Sequence, residues 1–151
     1  MAAEFVIAGR RELPGGDEPW QLRLESDEGS IVVYTPQSDE YRAHVARVVG
    51  FEPRTIVMVR KAWDCAQVVA EVLAEAIDGY VYCDFGNDPV FDAAGTHVPY
   101  ASREELAAAM HAAFCNPAPY FERWEEAAKA AFSERLKVDP VLAAENDWSE
   151  I

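Results

Sequence analysis

Residues 62–98 carry seven carboxylates, Asp64, Glu71, Glu75, Asp78, Asp84, Asp88 and Asp92, and neither lysine nor arginine. Carboxylates gathered in this way can hold a hard cation, work as an acid–base pair, or attract a basic partner. The segment has a charge of −7, whereas residues 1–61 carry −2 and residues 99–151 carry −5 of the total −14. A field concentrated on one segment steers a cationic partner, because like charges on a low-dielectric surface add up over several ångströms.

Cation binding would use Asp84-Phe85-Gly86-Asn87-Asp88-Pro89-Val90-Phe91-Asp92, which offers three carboxylates and an amide. It follows a strand end, where open α/β sheets bind ligands, and its oxygens suit magnesium or calcium. The spacing is not that of an EF-hand loop, and a turn whose Asp and Asn fold back on the backbone is the simpler reading. No metal and no cofactor are assigned. The triplet Asp84-Phe85-Gly86 matches a kinase magnesium motif by letters, but no glycine-rich loop, partnered lysine strand or His-Arg-Asp loop accompanies it.

His111 and Cys115 lie four apart on one predicted helix, the separation of two ligands on one face. Zinc needs two more, and neither Cys65 nor Cys83 forms a close Cys-x-x-Cys pair. There is no Gly-x-Ser-x-Gly elbow and no phosphate loop, and His44, His97 and His111 suggest no triad. His97, in the loop Gly95-Thr96-His97-Val98-Pro99, is the best candidate for a general base. One alternative is therefore a small metal-dependent or Cys/His hydrolase-like enzyme with a cleft near Asp84, Asp88 and His97.

The partner reading starts from Gln67, Glu71, Glu75 and Asp78, which share one face of a predicted helix at spacings of four, four and three. An amphipathic helix needs no further reason for a charged outer face. Like charges at i and i+4 nevertheless cost roughly 0.2–0.5 kcal/mol per pair, and ordinary surfaces intersperse lysine to relieve them. A face without that relief suits a basic partner, and charge reversal at Glu71 and Glu75 is expected to slow its association. Trp63, just before the helix, serves either as an aromatic anchor of the kind that dominates interfaces or as a hydrophobic staple.

Composition removes several classes. With 151 residues the chain fits one domain, 1–151, with a possible flexible tail at 139–151. Half of its residues are hydrophobic, so the acidity does not signal disorder. A pI near 4.5 argues against nucleic acid and against anionic membranes. The N-terminus lacks the basic and apolar regions of a signal peptide, no window is apolar enough to span a bilayer, and three widely spaced cysteines read as reduced thiols. The expected location is a bacterial cytoplasm.

The elements that must position these residues are strands first. Glu4–Ala8, Trp20–Glu25 and Ile31–Tyr34 read as strands, the last two as a hairpin around Asp27-Glu28-Gly29. A helix follows from Ser38 to Val49 with Gly50 at its C-terminal cap. Thr55–Val59 is continuously apolar and β-branched, hence an interior strand. The helix over 65–78, opened by a capping box of Asp64 and Gln67, leads into the strand Gly79–Cys83 and so makes a βαβ unit. Ser102 caps a helix to Phe114, and a longer helix over 120–137 is expected to bury Phe121, Trp124, Ala128, Ala131 and Leu136. The expected class is α+β: a mixed, largely antiparallel sheet of five or six strands, two helices packed on it and a C-terminal helical pair.

The stretch from Arg54 to Asp92 resembles the central unit of small α+β immunity proteins of bacterial polymorphic toxin systems. In these an apolar strand, a short helix and a strand ending in Gly-x-Val-Tyr-x-Asp recur, here Gly79-Tyr80-Val81-Tyr82-Cys83-Asp84. The resemblance covers about a quarter of the chain and implies a protein that binds a toxin domain, often a basic nuclease, without doing chemistry. The leading expectation is thus a non-enzymatic acidic binding protein of immunity or inhibitor type. Its partner-binding residues would be Trp63, Glu71, Glu75, Asp78, Asp84, Asp88 and Asp92. A third possibility, a structural subunit of a larger assembly, would be favoured by an exposed apolar patch on the C-terminal helices.

Overall fold

The computed structural model describes residues 4–16, 18–27, 29–60, 66–138 and 141. Trp63, Asp64 and Cys65, and with them the first capping box, lie outside the described residues, as does the tail from 139 except Val141. The elements run β1 (Glu4–Gly9), β2 (Gln21–Ser26), β3 (Gly29–Tyr34), α1 (Asp39–Val49), β4 (Thr55–Arg60), α2 (Ala66–Ile77), β5 (Gly79–Cys83), β6 (Asp88–Asp92), α3 (Arg103–Cys115) and α4 (Ala118–Val138). The class is α+β. Contacts divide the chain into two compact units, residues 1–116 and 117–151.

In the first unit six strands form one sheet in the order β2-β3-β4-β1-β5-β6, each pair antiparallel. β1, the first strand in the chain, sits near the middle. It pairs antiparallel with both β4 and β5, so those two run parallel with β1 between them. The expected βαβ unit is present but split by an inserted strand. Burial follows position: β1 and β4 are buried along almost their whole length, while the edge strand β6 has no buried residue.

The side-chain alternation of a strand assigns the two faces. Val6, Ala8, Ile56, Met58 and Tyr82 pack with Val45 of α1, and Tyr34, Tyr41 and Phe51 border them. Residues of opposite parity, among them Ile7, Val57 and Val81, face α2, which contacts β1, β4, β5 and β6. α3 then packs over α2. Ten of the twelve residues of α2 are buried, and a fully buried Val, Leu or Ile contributes about 1.5–3 kcal/mol. Gly9 and Gly79 face each other across β1 and β5 and let α2 approach. A Cβ on Gly79 would lie 2.8 Å from Ile7 Cγ2 and 3.3 Å from the Ala74 Cα, and one on Gly9 would lie 2.6 Å from Ile77 Cδ1.

The caps foreseen for α1 and α3 form. Ser38 Oγ accepts from the Tyr41 N–H at 3.2 Å, and Gly50, at φ 81°, donates its N–H to Ala46 O at 2.9 Å. Ser102 Oγ accepts from the Glu105 N–H at 3.2 Å, while Glu105 Oε2 accepts from the Ala101 N–H at 3.0 Å. Arg103 then donates to the carbonyls of Pro14, Gly16 and Glu18 and ties the loop before β2 to the start of α3.

In the second unit α4 has no buried residue. The expectation that Phe121, Trp124, Ala128, Ala131 and Leu136 form a buried stripe is therefore corrected: Trp124 and Leu136 are partly covered and the others exposed. The helix supports itself locally, with Lys129 beside Glu125 and Glu126, Lys137 donating to Glu134, and the rings of Phe121 and Trp124 5.1 Å apart.

Candidate partner-binding site

The acidic residues that the sequence groups together are divided by the structure into a buried glutamate and two separate surface clusters. Glu71 is only 2 % exposed. This corrects the reading of Gln67, Glu71, Glu75 and Asp78 as a solvated face: α3 covers the side of α2 turned away from the sheet, and Gln67, Glu75 and Asp78 are only partly exposed. Glu71 cannot meet a partner at the surface. A sequence signal for this exists, since Ala70 and Ala74 flank Glu71 on the supposedly polar side, and a helix apolar nearly all round is buried on both sides.

The first surface cluster lies where β5 begins and β6 ends, because Tyr80 faces Asp92 in the register. Arg10, from the end of β1, donates to Asp92 Oδ1 at 3.1 Å and to the Asp78 carbonyl at 3.0 Å, and its guanidinium lies 4.5 Å from the centre of the Phe51 ring. Asp92 also accepts from the Ala94 N–H at 3.0 Å. The countercharge that segment 62–98 lacks is thus supplied from 82 residues away in sequence. Asp78 adopts φ 51° as it ends α2. The Asp92 carboxylate is paired with Arg10, whereas Asp78 lends Arg10 only its backbone carbonyl, and its carboxylate Oδ1 is buried without a hydrogen-bond partner among the described residues.

The second cluster lies at the opposite end of the same hairpin, about four residue steps or roughly 13 Å along it. Asp84 Oδ1 accepts from the Glu4 N–H at 2.7 Å, and the Asp84 N–H donates to Glu4 O at 2.9 Å. Gly86 at φ 83° and Asn87 at φ 57° turn the chain into β6, where Asp88 faces Cys83. Glycine and asparagine tolerate this left-handed backbone better than other residues. Between the carboxylates, Phe85 stands 81 % exposed, and Asp88 is exposed beside it. Sequence reasoning passed over Phe85, although a phenylalanine set in a turn among Asp84, Gly86, Asn87 and Asp88 is a legible signal of a side chain beyond the end of the strand.

Behind the tip, residues missed at the sequence level join Glu4 and Asp84. Tyr34 donates its hydroxyl to Glu4 Oε2 at 2.5 Å. Arg60, paired with Glu4 in the strand register, brings Nε to 3.9 Å from Glu4 Oε1. Burial first, then the hydrogen bond to Glu4 and its charge, raises the Tyr34 phenol well above the ordinary tyrosine range. Tyr41 is likewise raised by burial and by the fields of Tyr82, Asp84 and Glu4. Tyr82 is pushed up to about 12, by burial and then by Asp84, with the neighbouring Tyr41 hydroxyl offsetting part of the rise.

The proposed catalytic group does not assemble. His97 Nδ1 lies 3.2 Å from Glu75 O, near the C-terminal end of α2, whereas Asp84 and Asp88 sit at the far end of β5. The enzyme alternative required these three to converge, and they do not. Among the described residues no group of three or more His, Cys, Asp or Glu side chains could hold a metal ion. His111 Nε2 does approach Cys115 Sγ at 3.5 Å, but it lies 3.1 Å from Glu25 O, and no further ligand joins them. Among the described residues no helix is long and apolar enough to cross a membrane. In comparisons with known proteins, the chain matches no family model, no curated protein and no solved structure.

Proposed function

We propose that this chain is a non-enzymatic acidic binding domain of immunity or inhibitor type, which captures a basic protein, such as a toxin domain, at the tip of the β5–β6 hairpin. The observation that carries the reading is Phe85, 81 % exposed between Asp84 and Asp88 on a turn of defined backbone. An exposed aromatic side chain ringed by charge has the make-up of an interface centre, where one desolvated anchor supplies much of the energy and rim charges set the approach. The net charge of −14 strengthens the same preference at longer range. Glu71 is buried, Asp78 is half-buried and Asp92 is paired with Arg10, so Asp84, Phe85 and Asp88 carry the contact. The proposed setting is the cytoplasm.

The test is affinity capture from the native host lysate at low and moderate salt, with the wild type beside a Phe85→Ala, Asp88→Lys double variant. One basic protein recovered by the wild type and lost with the variant supports the reading. Equal recovery by both removes the hairpin tip as the binding surface.

A second reading, assembly through the C-terminal helix, draws on α4, where Phe121 and Phe132 lie eleven residues apart on one side and are 40 % and 41 % exposed. Sedimentation over a range of concentrations separates the two: self-association abolished by Phe121→Ser, Phe132→Ser favours the second, and a monomer throughout leaves the first.

A further inference from the structure

α4 lacks what normally sustains a helix. It runs for 21 residues with no buried side chain, although helices in proteins draw most of their stability from packing one apolar face. Such a face is present. Viewed down the axis at 3.6 residues per turn, Phe121, Trp124, Ala131 and Phe132 lie within roughly 60° of Ala128, and both phenylalanines are exposed. The charges divide along the same helix. Residues 118–128 hold three glutamates and one arginine, a net −2, and residues 129–138 hold two lysines, one arginine and one glutamate, a net +2. Glu122 and Arg135, one from each half, form no ion pair among the described residues. A second α4 laid antiparallel sets each acidic half against a basic half, whereas a parallel one sets like against like.

We infer that α4 pairs antiparallel with α4 of a second copy of this chain, about a two-fold axis close to Ala127 and Ala128. This pairing rests on self-association through α4, the second reading of the function, and supplies its direction and register; it uses no residue of the β5–β6 tip. A two-fold contact is reciprocal, so every pair occurs twice. Phe121 packs on Phe132 of the second copy and Trp124 on its Ala131, while the small Ala128 side chains let the two axes approach to about 8–10 Å. Glu125 lies beside Lys129 of the second copy. Lys129 already approaches its own Glu125 at 3.3 Å, so four alternating charges close the rim around the axis. Tyr120, with Arg123 over its ring at 4.8 Å, offers its other face to Arg135 of the second copy.

Sedimentation equilibrium of the full chain tests this with Glu125→Lys, Lys129→Glu and an equimolar mixture of the two. The wild type is expected to shift from monomer to dimer as concentration rises. Each single variant is expected to dimerise about tenfold more weakly, since like charges then meet twice across the axis. The mixture is expected to regain the wild-type affinity, because one chain is basic at both positions and the other acidic. A mixture that binds more tightly than the wild type marks a parallel pair, and single variants that dimerise like the wild type mark another register. Either overturns the inference, and loss of self-association with Phe121→Ser, Phe132→Ser then keeps α4 as the interface. A monomer at every concentration overturns the pairing and the second reading together; a lower thermal midpoint of that monomer with Phe121→Ser, Phe132→Ser then shows that a segment of its own chain covers the stripe.

Discussion

Glu4 and Asp84, eighty residues apart, bond to each other twice: the Glu4 N–H donates to Asp84 Oδ1 at 2.7 Å and the Asp84 N–H donates to Glu4 O at 2.9 Å. The side chain extends the β1–β5 ladder by one bond beyond the register Phe5 with Cys83. Replacing Asp84 by Ala should destabilise the chain by about 1 kcal/mol, as for one hydrogen bond at the surface, and Asp84→Asn should retain most of it. Urea denaturation measures both. Equal loss in the two variants would show that the charge, and not the acceptor, supports the strand.

Glu71 predicts a sharper effect. Its carboxylate is enclosed where α2 meets α3, so Glu71→Lys should cost about 3 kcal/mol or more, as when one charge of a buried polar arrangement is reversed. Asp88→Lys, at an exposed turn, should stay within about 0.5 kcal/mol of the wild type. Thermal unfolding of the two single variants checks the contrast, and equal midpoints would place Glu71 at the surface.

How far these positions were legible in the sequence depended on the range of the interactions. Caps at Ser38, Gly50 and Ser102, and the interior character of β4, follow from residues within a few positions of each other, and all appear in the structure. The burial of Glu71 depends on α3, more than thirty residues away, and the neutralisation of Asp92 depends on Arg10. No local pattern reports either contact. The same holds for the insertion of β1 between β4 and β5, which brings Glu4 to Asp84 and Arg10 to Asp92. For α4 the failure is of another kind: a helical stripe of Phe121, Trp124 and Ala128 is equally compatible with a core and with an uncovered helix.

Gly79→Ala should destabilise by about 1–3 kcal/mol, the usual cost of overpacking. The new methyl would meet Ile7 Cγ2 at 2.8 Å and the backbone of Ala74 at 3.3 Å, and backbone cannot give way cheaply. Denaturant titration tests it. A neutral outcome would mean that α2 can lift from the sheet without loss.

Alkaline pH should weaken the fold through Tyr34, Tyr41 and Tyr82. Their phenols ionise above the ordinary value near 10 in the folded chain, with Tyr82 pushed up to about 12. Between pH 10 and 12 the unfolded chain has therefore lost protons that the folded chain keeps, and stability falls as pH rises. Their contribution is fully present below pH 10. In a phenolate-absorbance titration, Tyr→Phe difference spectra should show these three ionising only as the chain unfolds; an ordinary midpoint in the folded protein would contradict their burial.

The central claim, capture of a basic partner at the β5–β6 tip, is tested most directly by the affinity of a labelled basic decapeptide for wild type and for Phe85→Ala, Asp88→Lys as salt is raised. The wild type should bind with an affinity that falls with salt, and the double variant should bind at least about tenfold more weakly, with a flatter salt dependence. Equal affinity and equal salt dependence in the two proteins would contradict partner capture at this hairpin.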